Sequence, residues 1–193
     1  MSDQEWMLRL QAGDDDAFNY LVGKYRSPLI HFLYRMVHEA ALAEELAQEV
    51  FLRVYRARQR YRPRARFTTW LFRIAANVAL NALRDGRVRR ARETPLESGS
   101  ADPAQSRLVQ LADPAPNVEQ GMLEAERREQ IRQAVEALPE KQRLAVLLHK
   151  YQEMDYAEIA DILDCSESAL KSLLFRAYET LRVKLRPLLG ARV

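Results

Sequence analysis

Two asparagines in the segment RFTTWLFRIAANVALNALRDGRVRRAR, residues 66–92, are residue types suited to contacting nucleic acid bases. Asn77 and Asn81 are four positions apart, so a helix places both amides on one face. Helix propensity does not favour asparagine, and its amide can hydrogen-bond a base edge or a neighbouring helix. Phe67 and Trp70 flank the start of this helix, where an aromatic ring either joins the core or stacks on an unpaired base. For Trp70 the core is the favoured interpretation.

A second group of DNA-contacting residue types lies in DCSESALKSLLFRAYETLRVKL, residues 164–185. Its apolar positions recur at helical spacing and predict a core-facing stripe of Leu170, Leu174, Ala177 and Leu181. Lysine and arginine can reach guanine or phosphate, serine can bond either, and an exposed phenylalanine can touch a thymine methyl. The residues pointing away from the stripe have these types: Ser168, Lys171, Ser172, Phe175 and Arg176.

Two capping signals predict a helix-turn-helix around this segment. Asp155 and Glu158 have the spacing of a capping box for a short helix, and Ser166 can cap the next one. The alternative is a solvated helix face on an ordinary helical hairpin.

An acidic helix face is predicted upstream of the basic segment, on a helix from about Leu42 to Arg58. Its inward stripe is Leu46, Ala47, Val50, Phe51 and Val54, and its outward residues are Glu45, Gln48, Glu49 and Leu52. This face cannot favour DNA phosphates, and nothing near it indicates catalytic carboxylates. It is therefore either solvated or bound by a protein partner.

The charge of the chain is strongly uneven, although the net charge is only +3. Residues 53–92 contain thirteen arginines against one acid, Asp85, whereas residues 1–52 carry nine acidic groups against four basic ones. A polyanion is therefore expected to bind residues 53–92.

Helical periodicity extends over nearly the whole sequence, which predicts an all-α protein. Ser27 and Pro28 predict the start of a new helix, and Thr68 or Thr69 predicts the cap of the helix that carries Asn77. The pattern fails between residues 94 and 117, which hold four prolines and little to bury. We therefore predict two small domains, residues 1–92 and 121–193, joined by a flexible linker at 93–120.

Several classes of protein are disfavoured. A single cysteine, Cys165, excludes an internal disulfide and a cysteine-clustered zinc site, and the three histidines are scattered. No glycine-rich phosphate loop is present, so we expect neither an enzyme nor a cofactor. No apolar run is long enough to cross a bilayer and no leader is evident, so a cytoplasmic protein without membrane insertion is expected.

Three segments, in this order, resemble the extracytoplasmic-function (ECF) sigma factors of bacterial RNA polymerase. AEELAQEVFLRVYRAR is similar to the core-polymerase-binding helix, FTTWLFRIAANVALNALR to the −10 recognition and melting segment, and LPEKQRLAVLLHKYQEMDYAEIADILDCSESALKSLLFRA to the −35 helix-turn-helix. The resemblance implies a region 2 bundle, a region 4 domain, and a role in promoter recognition and opening.

The resemblance also implies partners and residue roles. Core polymerase would meet the acidic face through the β′ clamp coiled coil, with the β flap as a further contact, and an anti-sigma factor is an expected inhibitor. The core-binding set is Glu45, Gln48, Glu49 and Leu52. The −10 set is Phe67, Thr68, Thr69, Trp70, Arg73, Asn77, Asn81 and Arg84. The −35 set is Ser166, Ser168, Lys171, Ser172, Phe175 and Arg176.

Leu173 departs from the family pattern, in which arginine is common, so one phosphate contact is expected to be missing. The alternative function is a helix-turn-helix regulator that is not a polymerase subunit. That hypothesis leaves residues 53–92 and the acidic face without a role. A helical scaffold with an incidental helix-turn-helix would tolerate alanine at Asn77 and Asn81.

Overall fold

The computed structural model describes residues 1–92 and 118–189, and within them every regular element is a helix. The all-α prediction is confirmed. The first unit contains α1 (Asp3–Gln11), α2 (Asp15–Val37), α3 (Ala40–Ala57), a 3₁₀ turn (Arg58–Arg60) and α4 (Phe67–Arg92). The second contains α5 (Val118–Glu136), α6 (Glu140–Tyr151), α7 (Tyr156–Leu163), α8 (Glu167–Lys184) and α9 (Arg186–Leu189). Most of the predicted linker lies outside the described residues.

The first unit is a helical bundle whose core lies between α2, α3 and α4. Leu29 and Leu71 are completely buried, and the Phe32 and Phe72 rings meet edge to face at 5.1 Å. The predicted inward stripe of α3 is confirmed, because all five of its members are buried. That burial fixes which face of α3 is turned to the outside.

The predicted helix start at Ser27 and Pro28 is wrong. Both residues lie inside α2, a single helix of 23 residues. A proline inside a helix removes one hydrogen bond and crowds the carbonyl four residues earlier. The helix nevertheless continues because Tyr25, Leu29 and Phe32, on either side of the proline, lie on one buried face. Packing of that face offsets the local cost.

Two other predicted helix starts are also corrected. Neither Thr68 nor Thr69 caps α4, which begins at Phe67, so both threonines lie in its first turn. Helix α3 begins at Ala40, two residues before the predicted position.

The second unit has the predicted helix-turn-helix. Helices α6 and α8 pack together, and fully buried leucines of α6, including Leu144 and Leu147, form the core with Ile159 and Leu170. In the tight turn between α7 and α8, Asp164 adopts a positive φ of 51° and the Cys165 N–H donates to the Ala160 carbonyl at 3.0 Å. After this short turn, α8 packs on the core through one face and leaves its opposite face exposed.

Candidate nucleic-acid interface

The outer face of α8 carries the predicted −35 residues. Ser168, Lys171, Ser172 and Arg176 are exposed, and Phe175 is 68% exposed although it is a large apolar residue. The opposite stripe of Leu170, Leu174 and Ala177 is buried, as predicted, while Leu181 is only half-buried. Leu173 is half-buried beside this stripe. The face is therefore polar and basic with one aromatic ring, which suits a DNA groove.

Ser166 serves the helix itself, as predicted. Its hydroxyl oxygen accepts a hydrogen bond from the Ala169 N–H at 3.2 Å and caps α8. The predicted capping box before α7 is also present, since Glu158 N–H donates to Asp155 at 2.8 Å and Asp155 N–H donates to Glu158 at 3.1 Å. The two caps fix where both helices of the motif begin.

We expect Ser166→Ala to lower the free energy of unfolding of the second unit by about 1 kcal/mol, because an N–H at the start of α8 loses its acceptor. Urea denaturation followed by circular dichroism measures the change. Ser166→Asp keeps an acceptor and is expected to retain stability. Equal stability of the alanine and aspartate variants would contradict the capping role.

The predicted base-contacting asparagines of α4 are on its surface. Asn77 and Asn81 are both exposed, and Arg84, one turn further along, is exposed with an ion pair to Asp85 at 3.7 Å. The buried residues Leu71, Ala75 and Val78 form the inner face of the same helix, and Ile74 beside them is half-buried. Because α4 is anchored along its inner face, the backbone positions of both asparagines are fixed and their side chains extend from its surface.

The residues at the beginning of α4 are less accessible than the −10 prediction requires. Phe67 and Thr69 are each only 2% exposed, and Thr68, Trp70 and Arg73 are half-buried. The Trp70 ring meets the buried Tyr61 ring edge to face at 5.0 Å, which agrees with the core interpretation of that tryptophan. In this conformation the Phe67 and Thr69 side chains are packed into the first unit at the start of α4.

Alternating arginines precede α4 and form what we call the arginine loop, residues 58–66. Arg60, Arg62, Arg64 and Arg66 are exposed, and Arg58 lies over the Tyr55 ring at 4.0 Å. The sequence prediction included this stretch as phosphate-binding charge but assigned no role to individual positions. Arginine at every second residue from 58 to 66 was the available signal.

Tyr61 anchors the arginine loop in the first unit. It is 3% exposed, its ring contacts Phe67 and Trp70, and burial raises the pKa of its phenol. Among the described residues, its hydroxyl has no hydrogen-bond partner. A buried, unpaired hydroxyl destabilises the folded state.

We expect Tyr61→Phe to raise the free energy of unfolding by about 1 kcal/mol, because it removes a desolvated hydroxyl and keeps the ring. Tyr25→Phe is the matched control: the Tyr25 hydroxyl donates to Asp3 at 2.6 Å, so this variant is expected to lose stability. Thermal denaturation distinguishes the two. A loss of stability in both variants would show that the Tyr61 hydroxyl is satisfied.

The acidic face of α3 is exposed as predicted. Glu45 and Gln48 are exposed, Leu52 is 49% exposed, and the half-buried Glu49 accepts from Arg53 at 2.7 Å. A groove of about 420 Å³ lies beside it, and its lining includes Phe18, Val22, Ile30, Ala47, Phe51 and Leu52. An exposed leucine beside an apolar groove and among polar groups is typical of a protein-binding surface.

No helix of residues 1–92 or 118–189 is both long and apolar enough to cross a membrane.

Comparisons with known proteins match both units. The Sigma-70 region 2 family model matches residues 21–89, and the Sigma-70, region 4 model matches residues 128–181. The RNA polymerase sigma-H factor of Pseudomonas aeruginosa is 35% identical over 192 residues, which cover 97% of this chain and 95% of that protein. The ECF RNA polymerase sigma-E factor of Escherichia coli K12 is 34% identical over 194 residues, with 98% and 97% covered.

Two solved structures share the fold. CnrH in complex with the cytosolic domain of CnrY has a TM-score of 0.66 at 22% identity and covers 100% of both chains. The sigma factor RpoE in complex with the anti-sigma factor NepR from Bartonella quintana has a TM-score of 0.64 at 21% identity, covering 88% of this chain and 96% of that one. Similarity over the full length to the two sigma factors above shows that this chain belongs to the extracytoplasmic-function sigma factors of RNA polymerase.

Proposed function

We propose that promoter recognition by this sigma factor is divided between residues 1–92, which bind the −10 element and core polymerase, and residues 121–193, which bind the −35 element. As a sigma factor, the chain binds core RNA polymerase, recognises promoter DNA and promotes its opening. The main support for the division is that each family-matched segment presents an exposed polar face, Asn77 and Asn81 on α4 and Lys171 to Arg176 on α8.

At the −10 element, arginines hold the backbone and asparagines hold bases. The exposed arginines of residues 60–66 and Arg84 neutralise phosphates without selecting sequence. Asn77 and Asn81 then bind bases of the unpaired strand through their amides. The buried side chains of Phe67 and Thr69 keep the start of α4, the helix that carries both asparagines, in place.

At the −35 element, α8 enters the major groove. Lys171 and Arg176 reach base acceptors or phosphates, and the exposed ring of Phe175 contacts a thymine methyl. The Ser172 hydroxyl donates to the Ser168 carbonyl at 3.1 Å, which leaves its oxygen able to accept from a base amine. Ser166 contributes through the helix cap described above.

Promoter opening requires the polymerase as well. Separating three base steps costs about 4 kcal/mol, at about 1.4 kcal/mol each. Capture of two bases returns about 2 to 6 kcal/mol, which does not cover a longer bubble. The acidic face of α3 supplies the necessary attachment by binding the β′ clamp coiled coil, and the second unit meets the β flap.

Regulation and location follow from the same assignment. An anti-sigma factor that covers the DNA-binding faces would keep the chain inactive, and both solved neighbours are complexes, one named with an anti-sigma factor. The cytoplasm, where bacterial polymerase transcribes, is the expected compartment. The family consists of DNA-binding initiation factors, and polymerase carries out the chemistry, so we assign no catalytic residue.

Run-off transcription tests the proposal: core polymerase is incubated with random promoter fragments, with and without this protein, and the transcripts are sequenced. Protein-dependent start sites with two spaced upstream elements are expected. Binding of the free chain to specific DNA, without binding to core polymerase, would instead favour the helix-turn-helix regulator. Absence of both activities would contradict the assignment of the α3, α4 and α8 faces.

A further inference from the structure

The first helix holds both ends of the arginine loop through side-chain amides. Gln4 Nε2 donates to the carbonyl of Ala65 at 2.7 Å, one residue before the end of the loop. Gln11 Nε2 donates to the carbonyl of Gln59 at 3.0 Å, and Gln59 Nε2 donates back to the carbonyl of Gln11 at 3.0 Å. Gln4 and Gln11 are seven positions apart, so they lie on one face of α1.

The arginine loop has little internal structure to hold it in this position. Only residues 58–60 form a 3₁₀ turn, and residues 61–66 contain no helix. Five arginines at alternate positions repel one another, and each unconstrained residue adds conformational freedom that DNA binding must remove. Contacts that hold the loop before binding reduce that entropic cost.

Helix α1 is itself firmly anchored, so it can act as a support. Its first turn has a capping box in which Ser2 Oγ accepts from Glu5 N–H at 3.2 Å. Asp3 accepts from Lys24 Nζ and from Tyr25 Oη, both at 2.6 Å, which ties α1 to α2. Burial and the Asp3 hydrogen bond raise the pKa of Tyr25, so its phenol remains a donor.

We propose that Gln4 and Gln11 are positioning residues that hold the arginine loop in its phosphate-binding arrangement beside α4. They do not touch DNA. They keep the main chain of Gln59 and Ala65 fixed, so that the exposed arginines between them meet successive phosphates of one strand. This inference rests on the proposed −10 function of the first unit.

The test uses reconstituted holoenzyme and the variant Gln4→Met/Gln11→Met, which keeps side-chain length and removes the amides. Holoenzyme affinity for a promoter duplex is measured as a function of salt. Each phosphate contact contributes about −0.9 to the slope of log K against log salt, so loss of one or two contacts makes the slope shallower by about 1 to 2. We expect on the order of tenfold weaker binding at low salt, where phosphate contacts dominate.

Two comparisons separate positioning from a general loss of structure. Arg62→Ala/Arg64→Ala removes loop charges directly, and adding the glutamine substitutions to this variant is expected to have little further effect, because both act through the same contacts. Asn19→Ala, an exposed amide on α2, is expected to leave the slope unchanged. If the double glutamine variant does not fold, Gln59→Met is used in its place, because it removes the hydrogen bond from Gln59 Nε2 to the carbonyl of Gln11.

The possible results are distinguishable. An unchanged slope in the double glutamine variant, or full additivity with the arginine substitutions, would overturn the positioning role. If the unaltered chain does not direct polymerase to promoters at all, the proposed function fails first. Loss of binding with an unchanged slope would mean that the glutamines only stabilise the unit.

Discussion

Replacing Asn77 and Asn81 together with alanine is expected to abolish promoter opening while slightly increasing the stability of the protein. Both side chains are exposed in the middle of α4, where alanine has the higher helix propensity, by roughly 0.5 kcal/mol or more per position. Each lost base contact costs about 1 to 3 kcal/mol. Capture of two bases returns about 2 to 6 kcal/mol, which only balances the cost of about 4 kcal/mol for three base steps, so losing both contacts makes opening unfavourable.

The measurement is permanganate reactivity of unpaired thymines in the −10 region, with variant holoenzyme at a promoter that the unaltered chain opens. Asn19→Ala is the matched control, since it makes the same substitution at an exposed position of α2 in the same unit. Normal opening by the double variant would remove the amides from the proposed mechanism. Reduced stability of the double variant would show that they serve the fold.

The amphipathic pattern predicted most of the fold because burial follows helical spacing. The five inward positions of α3 and the stripe of Leu170, Leu174 and Ala177 are buried as predicted. The prediction at Pro28 was wrong because the local preference of proline for the first turn of a helix is outweighed by the continuous buried face of α2. The prediction at Thr68 and Thr69 was wrong in the same way, since α4 begins earlier, at the buried Phe67.

In the candidate site, the features set by local sequence could be predicted, whereas contacts between residues far apart in the chain could not. Exposure of Asn77, Asn81 and the outer residues of α8 follows from helical phase, which a sequence contains. The contact of Gln4 with Ala65 links residues 61 positions apart, from a side chain to a carbonyl. Main-chain carbonyls are the same in every residue type, so no residue pattern marks such a partner.

Leu52→Asp is expected to weaken binding to core polymerase by about a hundredfold or more while leaving the fold intact. Leu52 is 49% exposed on α3, so its substitution removes little core packing. In the complex its side chain would be desolvated among Glu45 and Gln48, and a new carboxylate there would be buried without a partner. Loss of a desolvated side chain at the centre of an interface costs about 2 kcal/mol or more, and the unpaired buried carboxylate adds to that cost.

The control is Leu8→Asp, which places the same charge at a leucine 41% exposed on α1 of the same unit. Fluorescence anisotropy with labelled sigma factor and core polymerase measures both affinities, and thermal denaturation checks that both variants fold. Because Glu45 lies on the rim of this face, Glu45→Arg should mainly slow association and change its dependence on salt. Equal affinity of Leu52→Asp and Leu8→Asp for core polymerase would show that the acidic face of α3 is not the docking surface, and would leave its exposed leucine without a partner.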